Sequence, residues 1–355
     1  MRRRRRRCPK TERATSRRRD VTTLITGSGL IGCHTAALLI RAGESVVILD
    51  RSPQPAHIAS VVPLRQIAIE TVDIRDRQAL VDVMRRHRVR RVLHTAAALS
   101  LSIRQEPMLA SDVNIQGTVN VLEAARVLPV ERVVLASSTT VYYPIFHRPH
   151  QGLVAEDFSF HAVSERPGSL YAASKLAGEF FAQHYAATYG MSIAVLRYSA
   201  VLGLWAGPNH SVPGRLMAEL LGAQAVEGCT HVADRLLMWR GGEDFIDARE
   251  VARANVAALN AISVPSVVYN IASGQMARFE DFVAAAREVS PHLTITHDAI
   301  PETGFAGFAY PRETPFDVSR AAHELGFSAR HDLADSFRAA QPWVEHASSG
   351  DQRRN

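Results

Sequence analysis

The sequence predicts an α/β fold: a doubly wound parallel sheet over residues 21–203, with 244–273 returning to it, and a smaller, less regular C-terminal part from 204–243 and 274–345. Two features lead there. Short runs rich in Val, Ile and Leu alternate with longer segments whose apolar residues recur at helical spacing, the pattern of βαβ units with right-handed crossovers. A glycine-rich turn, "TGSGLIG", follows the first of these runs and opens the first helical segment.

Taken in order, "VTTLIT" (21–26), "SVVILD" (45–50), "IAIETVD" (67–73), "RVLHTAA" (91–97), "RVVLASS" (132–138) and "SIAVLRYS" (192–199) read as buried strands. Between them "LIGCHTAALLIRAG", "RQALVDVMRRHR", "VNIQGTVNVLEAARVL" and "YAASKLAGEFFAQHYAATYG" carry the helical period. Past residue 203 the regularity loosens, with Gly and Pro in "GLWAGPNHSVPG", and "PSVVYNIAS" (265–273) reads as one returning strand.

Composition bounds the function. The formal charge of +6 belongs to the N-terminus: residues 1–20 hold 11 basic and 2 acidic residues, leaving 30 − 33 = −3 for the rest. The body is therefore mildly acidic and no nucleic-acid partner is expected, while the arginine run reads as a disordered tail to be set aside before fold reasoning. Residues 21–40 contain no Asp, Glu, Lys or Arg and superficially resemble a signal anchor. Three glycines, four threonines and His34 make them a poor membrane span, so no membrane association is expected. The cysteines at 8, 33 and 229 fit neither a disulfide framework nor a metal site. A cytoplasmic protein without metal is the expectation.

The turn places Gly27, Gly29 and Gly32 in GxGxxG register. Gly27 permits the tight turn, Gly29 lets backbone approach a pyrophosphate, and Gly32 lets the helix pack closely on the strand. The helix N-terminus, at Leu30 and Ile31, then offers N–H groups to phosphate. Asp50 ends the second strand, where its carboxylate accepts from adenosine ribose hydroxyls and repels a 2′-phosphate. A Rossmann-type site for NAD is expected in preference to NADP, with Arg51 beside Asp50 the one feature favouring NADP.

Of the 41 basic residues only Lys10 and Lys175 are lysines. Lys175 lies four residues after Tyr171 on a predicted helix, so the two share a face. A tyrosine acting as a base near neutral pH needs its phenolate stabilised, and a compact ammonium beside it does so while still reaching ribose hydroxyls.

These residues, with "VDIRD" (72–76), "VLHTAAA" (92–98), "DVNIQGTVNVLEAAR" (112–126), "LASSTTVY" (135–142), "LRYSAVLG" (196–203), "DFIDAREVARA" (244–254), "YNIASG" (269–274) and "ELGF" (324–327), resemble the extended short-chain dehydrogenase/reductase superfamily, in particular its NAD-dependent epimerase/dehydratase branch. The resemblance runs from about residue 21 to about 345. It implies a catalytic set of Ser138, Tyr171 and Lys175, with Ser137 and Thr139 as rivals for the serine's role. It also implies cofactor contacts at Asp73 and Ile74 bordering the adenine and at Ala96 and Ala97 beneath the cofactor. It implies a homodimer through the helices at about 105–127 and 171–189.

Departures from that pattern narrow the reaction. Thr139 and Thr140 stand where sugar-nucleotide dehydratases carry an Asp–Glu pair, and the arrangement resembles that of 4-epimerases. Ala200 replaces a frequent Asn, and Glu243 replaces the Arg before "DF" that contacts a diphosphate. Arg240 is the nearest candidate for a relocated substrate arginine, with Arg249 behind it, and Thr139 is a second substrate contact. The expected function is hydride abstraction and return on a sugar nucleotide, most like a 4-epimerase. The alternatives are an NAD-dependent dehydrogenase or reductase of a non-nucleotide sugar, sugar acid or small alcohol, and a non-catalytic dinucleotide-binding protein.

Overall fold

A computed structural model describes residues 21–145, 152–157, 169–208, 211–222 and 228–351; the basic tail, 1–20, lies outside them. The elements follow in the order β1 (Thr22–Thr26), α1 (Leu30–Arg41), β2 (Ser45–Asp50), α2 (Pro55–Ala59), β3 (Ile67–Thr71), α3 (Arg77–Arg86), β4 (Val89–His94), α4 (Ser100–Gln105), a π-helical stretch (Ala110–Gly117) running into α5 (Thr118–Arg126), β5 (Arg132–Ser138), α6 (Leu170–Tyr189) and β6 (Ile193–Tyr198). Then come β7 (Ala200–Leu202), α7 (Val212–Gly222), β8 (Cys229–Val232), β9 (Phe245–Asp247), α8 (Ala248–Asn260), β10 (Val268–Ile271), α9 (Phe279–Val289), β11 (Thr294–His297), α10 (Ser319–Leu325) and α11 (Leu333–Asp351).

Seven strands form one sheet in the order β3-β2-β1-β4-β5-β6-β10, and every pairing is parallel. This is the doubly wound Rossmann architecture, whose strand order reverses between β1 and β4. Both faces of the sheet are covered. One apolar cluster packs α1 and α8 onto Ile25, Ile48, Leu93 and Leu196, and a second, with residues of α3, α5 and α6, covers Leu24, Val47, Val92 and Val195. Strands buried on both faces are apolar throughout rather than alternating, which is why they read as continuous runs. Each of these fully buried aliphatic side chains contributes about 1.5–3 kcal/mol relative to exposure.

A third cluster gathers around Trp239 from segments on either side of β10, among them Leu216, Phe245, Phe279, Phe282 and Phe337. Two short strand pairs, β7 with β9 and β8 with β11, contribute residues to this cluster. Among the described residues no helix is long and apolar enough to cross a membrane.

The segment read as one helix over 113–128 is α-helical only from Thr118; Ala110–Gly117 is π-helical. The wider turn coincides with two local constraints. Gly117 abuts Ile74, where an added Cβ would meet the isoleucine Cδ1 at 2.5 Å. Thr118 Oγ1 donates to the Asn114 carbonyl at 2.6 Å.

His94, at the end of β4, is buried and lies 2.6 Å by Nδ1 from Thr26 Oγ1 and 3.1 Å by Nε2 from Thr118 Oγ1. Because the Thr118 hydroxyl gives its proton to Asn114, His94 donates from Nε2 and accepts from Thr26 at Nδ1. Burial, with the Lys175 charge second, holds its pKa down to about 3. The unfolded chain takes up this proton below about 6.5 and the folded chain does not until about 3. His94 therefore removes stability as pH falls through that window, by about 1.4 kcal/mol per pH unit, and has no effect above it. The dependence of unfolding free energy on pH between 4 and 6 should be shallower by that slope in His94→Gln.

Candidate active site

The site begins at the C-terminal ends of β1 and β4. Gly27 has φ +93, and a Cβ there would meet the Ala96 nitrogen at 2.9 Å, so only glycine brings the turn this close to the neighbouring strand. A Cβ on Gly32 would lie 2.2 Å from the Gly27 carbonyl oxygen, whereas one on Gly29 would meet nothing within 4 Å. The first and third glycines thus fit protein against protein, and the middle one faces open space. Helix α1 starts there without a side-chain cap or an acidic residue in its first turn. Its N-terminal N–H groups remain available to an anion.

A cavity of about 730 Å³ extends from this turn. Gly27, Gly29, Leu30, Ile31, Gly32, Asp50, Arg51, Asp73, Ile74, Ala96 and Ala97, all expected from the sequence to meet the cofactor, line it. Asp50 also organises the loop: its carboxylate accepts from Ser28 N at 2.8 Å, Ser28 Oγ at 2.9 Å and Ser52 N at 2.9 Å. Asp73 is held by Arg75, whose guanidinium draws its pKa down. His57 and Trp205, both in the cavity lining, meet edge to face with ring centroids 5.8 Å apart.

Ser138 and Tyr171 line the same cavity, and the Ser138 side chain acts to lower the phenol's pKa. Ser169 caps α6, its side chain accepting from Ala172 N at 3.0 Å, so Tyr171 sits in the first turn of a fixed helix. Lys175 stands one turn on, with Nζ 5.8 Å from the Tyr171 ring centroid and donating to the Ala136 carbonyl at 2.9 Å. Burial decides both pKa values: it pushes Tyr171 up to about 12, against the pull of Ser138, and Lys175 down to about 8. Desolvation, not the ammonium, thus dominates the phenol in this state. At neutral pH the phenol is protonated.

The support behind Ser138 is a buried polar network. Ser137 Oγ donates to Glu179, which takes a bidentate pair from Arg197, with Nη2 to Oε2 at 2.6 Å and Nε to Oε1 at 3.0 Å. Both charged side chains are buried, at 3% and 0% exposure. Arg197 also reaches the Tyr142 hydroxyl, which donates to Asn270 Oδ1 at 2.8 Å. Ser137 is therefore committed to this network, although it too touches the cavity wall.

Thr139 does not line the cavity; it is buried, and the next residue takes that place. The chain turns out of β5 into a 3-10 helix at Thr139–Ile145, which directs Thr140 to the cavity and lets its hydroxyl donate to Ser138 Oγ at 2.9 Å. Arg240 is also misplaced by the sequence reading. It is exposed, ion-paired with Glu302, and absent from the cavity lining. Arg249 is likewise taken, by Asp247 at 2.7 Å. Glu243 faces no ligand: it is buried against Arg312, and burial pushes its carboxyl up to about 7 against the pull of that guanidinium.

Asn114 is a residue that sequence reasoning passed over. Its side chain accepts from Ala98 N at 2.8 Å and donates to the Ala98 carbonyl and to Ser174 Oγ, each at 3.0 Å. It thereby joins the Ala96–Ala98 floor of the cavity to helix α6. A polar residue on the buried face of an apolar helical repeat was the available signal.

Residues 23–272 match the model of the NAD dependent epimerase/dehydratase family. A putative UDP-glucose 4-epimerase of Methanocaldococcus jannaschii is 28% identical over 333 residues, 90% of this chain and 97% of that protein. UDP-glucuronate 4-epimerase 4 of Arabidopsis thaliana is 27% identical over 96% of this chain and 78% of its own length. Among solved structures, a UDP-glucose-4-epimerase from Stenotrophomonas maltophila with bound NAD and formylated UDP-arabinopyranose superposes with a TM-score of 0.77 at 28% identity, covering 93% of this chain and 99% of that one. The family match covers the glycine turn, the seven-stranded sheet and the Ser138–Tyr171–Lys175 arrangement in one continuous span, and the chain belongs to the NAD dependent epimerase/dehydratase family.

Proposed function

We propose that this enzyme is an NAD-dependent 4-epimerase of a nucleoside-diphosphate sugar. The observation that carries the reading is that Ser138 and Tyr171 stand together on the wall of the same cavity that the glycine turn opens. NAD fits that cavity: Gly29 leaves room for the pyrophosphate, the uncapped α1 N-terminus meets its charge, and Asp50 presents a carboxylate to the ribose end. NAD bound there would supply a reversible hydride acceptor for the sugar carbinol carbon, with no net change in the cofactor over a turnover.

In this reading Tyr171 accepts the proton of the reacting hydroxyl at its phenolate oxygen and later returns it. Ser138 holds the reacting oxygen, and its own Oγ is fixed by Thr140. The Lys175 ammonium offsets the phenolate charge that burial alone disfavours. No carboxylate stands at positions 139 and 140 to eliminate water, which favours epimerisation over dehydration. Known relatives named as UDP-glucose and UDP-glucuronate 4-epimerases support the substrate class.

Segments 204–243 and 274–345 form the substrate-binding domain in this proposal, consistent with their shared apolar cluster around Trp239. A homodimer is proposed through the helices at about 105–127 and 171–189, because Phe180 is 60% exposed and Met108, Val127, Leu170 and Tyr189 are also exposed. Sedimentation at micromolar concentration checks it, a monomer counting against it. A cytoplasmic location is part of this proposal, because NAD and a nucleotide sugar are water-soluble ligands.

Incubation with UDP-glucose and UDP-glucuronate tests the activity. The expected result is the C4 epimer with no net absorbance change at the nicotinamide band. Stoichiometric NADH accumulation would establish a dehydrogenase instead.

A further inference from the structure

Resting on the nucleotide-sugar reading, a question follows about charge. A nucleoside-diphosphate sugar brings a dianion into the cavity, and such a group needs a cationic partner, commonly a bidentate guanidinium. Four arginines of the C-terminal part, the sequence candidates Arg240 and Arg249 among them, are spoken for. Arg240 pairs with Glu302, Arg249 with Asp247 and Arg312 with Glu243, and Arg215 pairs with Asp234. Each is held by its own carboxylate, and none of the four lines the cavity.

The lining of the cavity itself supplies the alternative. Among the described residues its carboxylates are Asp50 and Asp73 and its guanidiniums Arg51 and Arg104. Arg51 follows Asp50 directly at the end of β2, the adenosine end. Arg104 comes from a different part of the lining. It projects from α4, which packs on the Tyr171 helix α6, and α4 continues the Ala96–Ala98 floor. Its Nη2 reaches across to the Ala306 carbonyl at 3.5 Å, a long contact, and no carboxylate pairs with it among the described residues. Phe305, Ala306 and Phe308 face the cavity beside it, from a tight turn in which Ala306 itself has φ +57.

We infer that Arg104 is the substrate-anion residue of this enzyme and that its guanidinium receives the diphosphate of the nucleotide sugar. The cation comes from the cofactor-binding half of the chain, not from the arginine before "DF", because that position holds Glu243, already paired inside the protein. The weak Ala306 contact is what the diphosphate displaces. Arg104 is exposed, so its removal leaves the core untouched.

Calorimetric titration of the NAD-loaded enzyme with UDP and with UDP-glucose tests the assignment. Arg104→Ala should bind both about 10–100-fold more weakly, with unchanged NAD content and melting temperature. Arg104→Lys should recover part of the loss, since an ammonium restores the charge without the fork. The affinity of the wild type for UDP should also fall more steeply with salt than that of the alanine variant. Unaltered UDP binding in Arg104→Ala, with the wild type binding normally, overturns the assignment and leaves the nucleotide-sugar reading standing. A loss confined to UDP-glucose, with UDP unaffected, also overturns it by giving the guanidinium to the sugar. If the wild type binds neither UDP nor UDP-glucose, the nucleotide-sugar reading itself has failed and this assignment with it.

Discussion

Tyr171→Phe is expected to lower epimer formation by about 10²–10⁴-fold, the usual worth of a positioned proton-transfer group, while the purified protein still carries NAD. The substitution removes one oxygen. It leaves the glycine turn, the α1 N-terminus and Asp50 untouched, and the phenyl ring still fills the space that Lys175 Nζ overlooks at 5.8 Å. The phenol is pushed up to about 12 by burial in this state, so the proton leaves it or reaches it only when the ionised form is favoured by charge close by. Lys175 is the resident source of that charge, and its ammonium persists below about pH 8. NAD content by absorbance and C4 epimer by chromatography give the two readouts. Activity within tenfold of the wild type would exclude Tyr171 as the acid/base.

Arg197→Met carries the largest expected cost in stability, about 3–5 kcal/mol, because it leaves the Glu179 carboxylate buried without its counter-charge. The pair is inaccessible on both sides, at 3% and 0% exposure, so water cannot compensate. Glu179 would retain only the Ser137 hydroxyl among its partners named above. Replacing both members, as Glu179→Gln with Arg197→Met, should recover a good part of the loss, since no isolated charge is then buried. Urea unfolding followed by circular dichroism measures both variants, a shifted midpoint at constant slope marking a change in stability. A loss below about 1 kcal/mol in the single variant would mean the network contributes little.

The elements that carry the cofactor cavity were legible because their determinants are local. Apolar runs such as "SVVILD" and "RVVLASS" coincide with β2 and β5 because strands buried on both faces need uninterrupted apolar sequence. The glycine spacing fixes a turn whose steric reasons lie within a few residues, apart from the approach of Gly27 to Ala96. Tyr171 and Lys175 share a helix face by helical geometry alone. The π-helical stretch escaped that reading, since Gly117 meets Ile74 from a distant part of the chain and Asn114 bonds Ala98 and Ser174 across the cavity floor.

The tertiary structure decided which of several chemically equivalent residues face the cavity. Sequence offers Thr139 and Thr140 side by side, and the turn that ends β5 buries the first and exposes the second to the site. It offers many arginines, and an arginine is available to a ligand only if no carboxylate has claimed it. Arg240 is claimed by Glu302 and Arg312 by Glu243, partners 62 and 69 residues away along the chain. Separations of that length leave no periodic trace in the sequence. Charge type was therefore determined by the sequence, and charge availability by the fold, because ion pairing depends on where distant segments come to lie and not on what stands next to each residue.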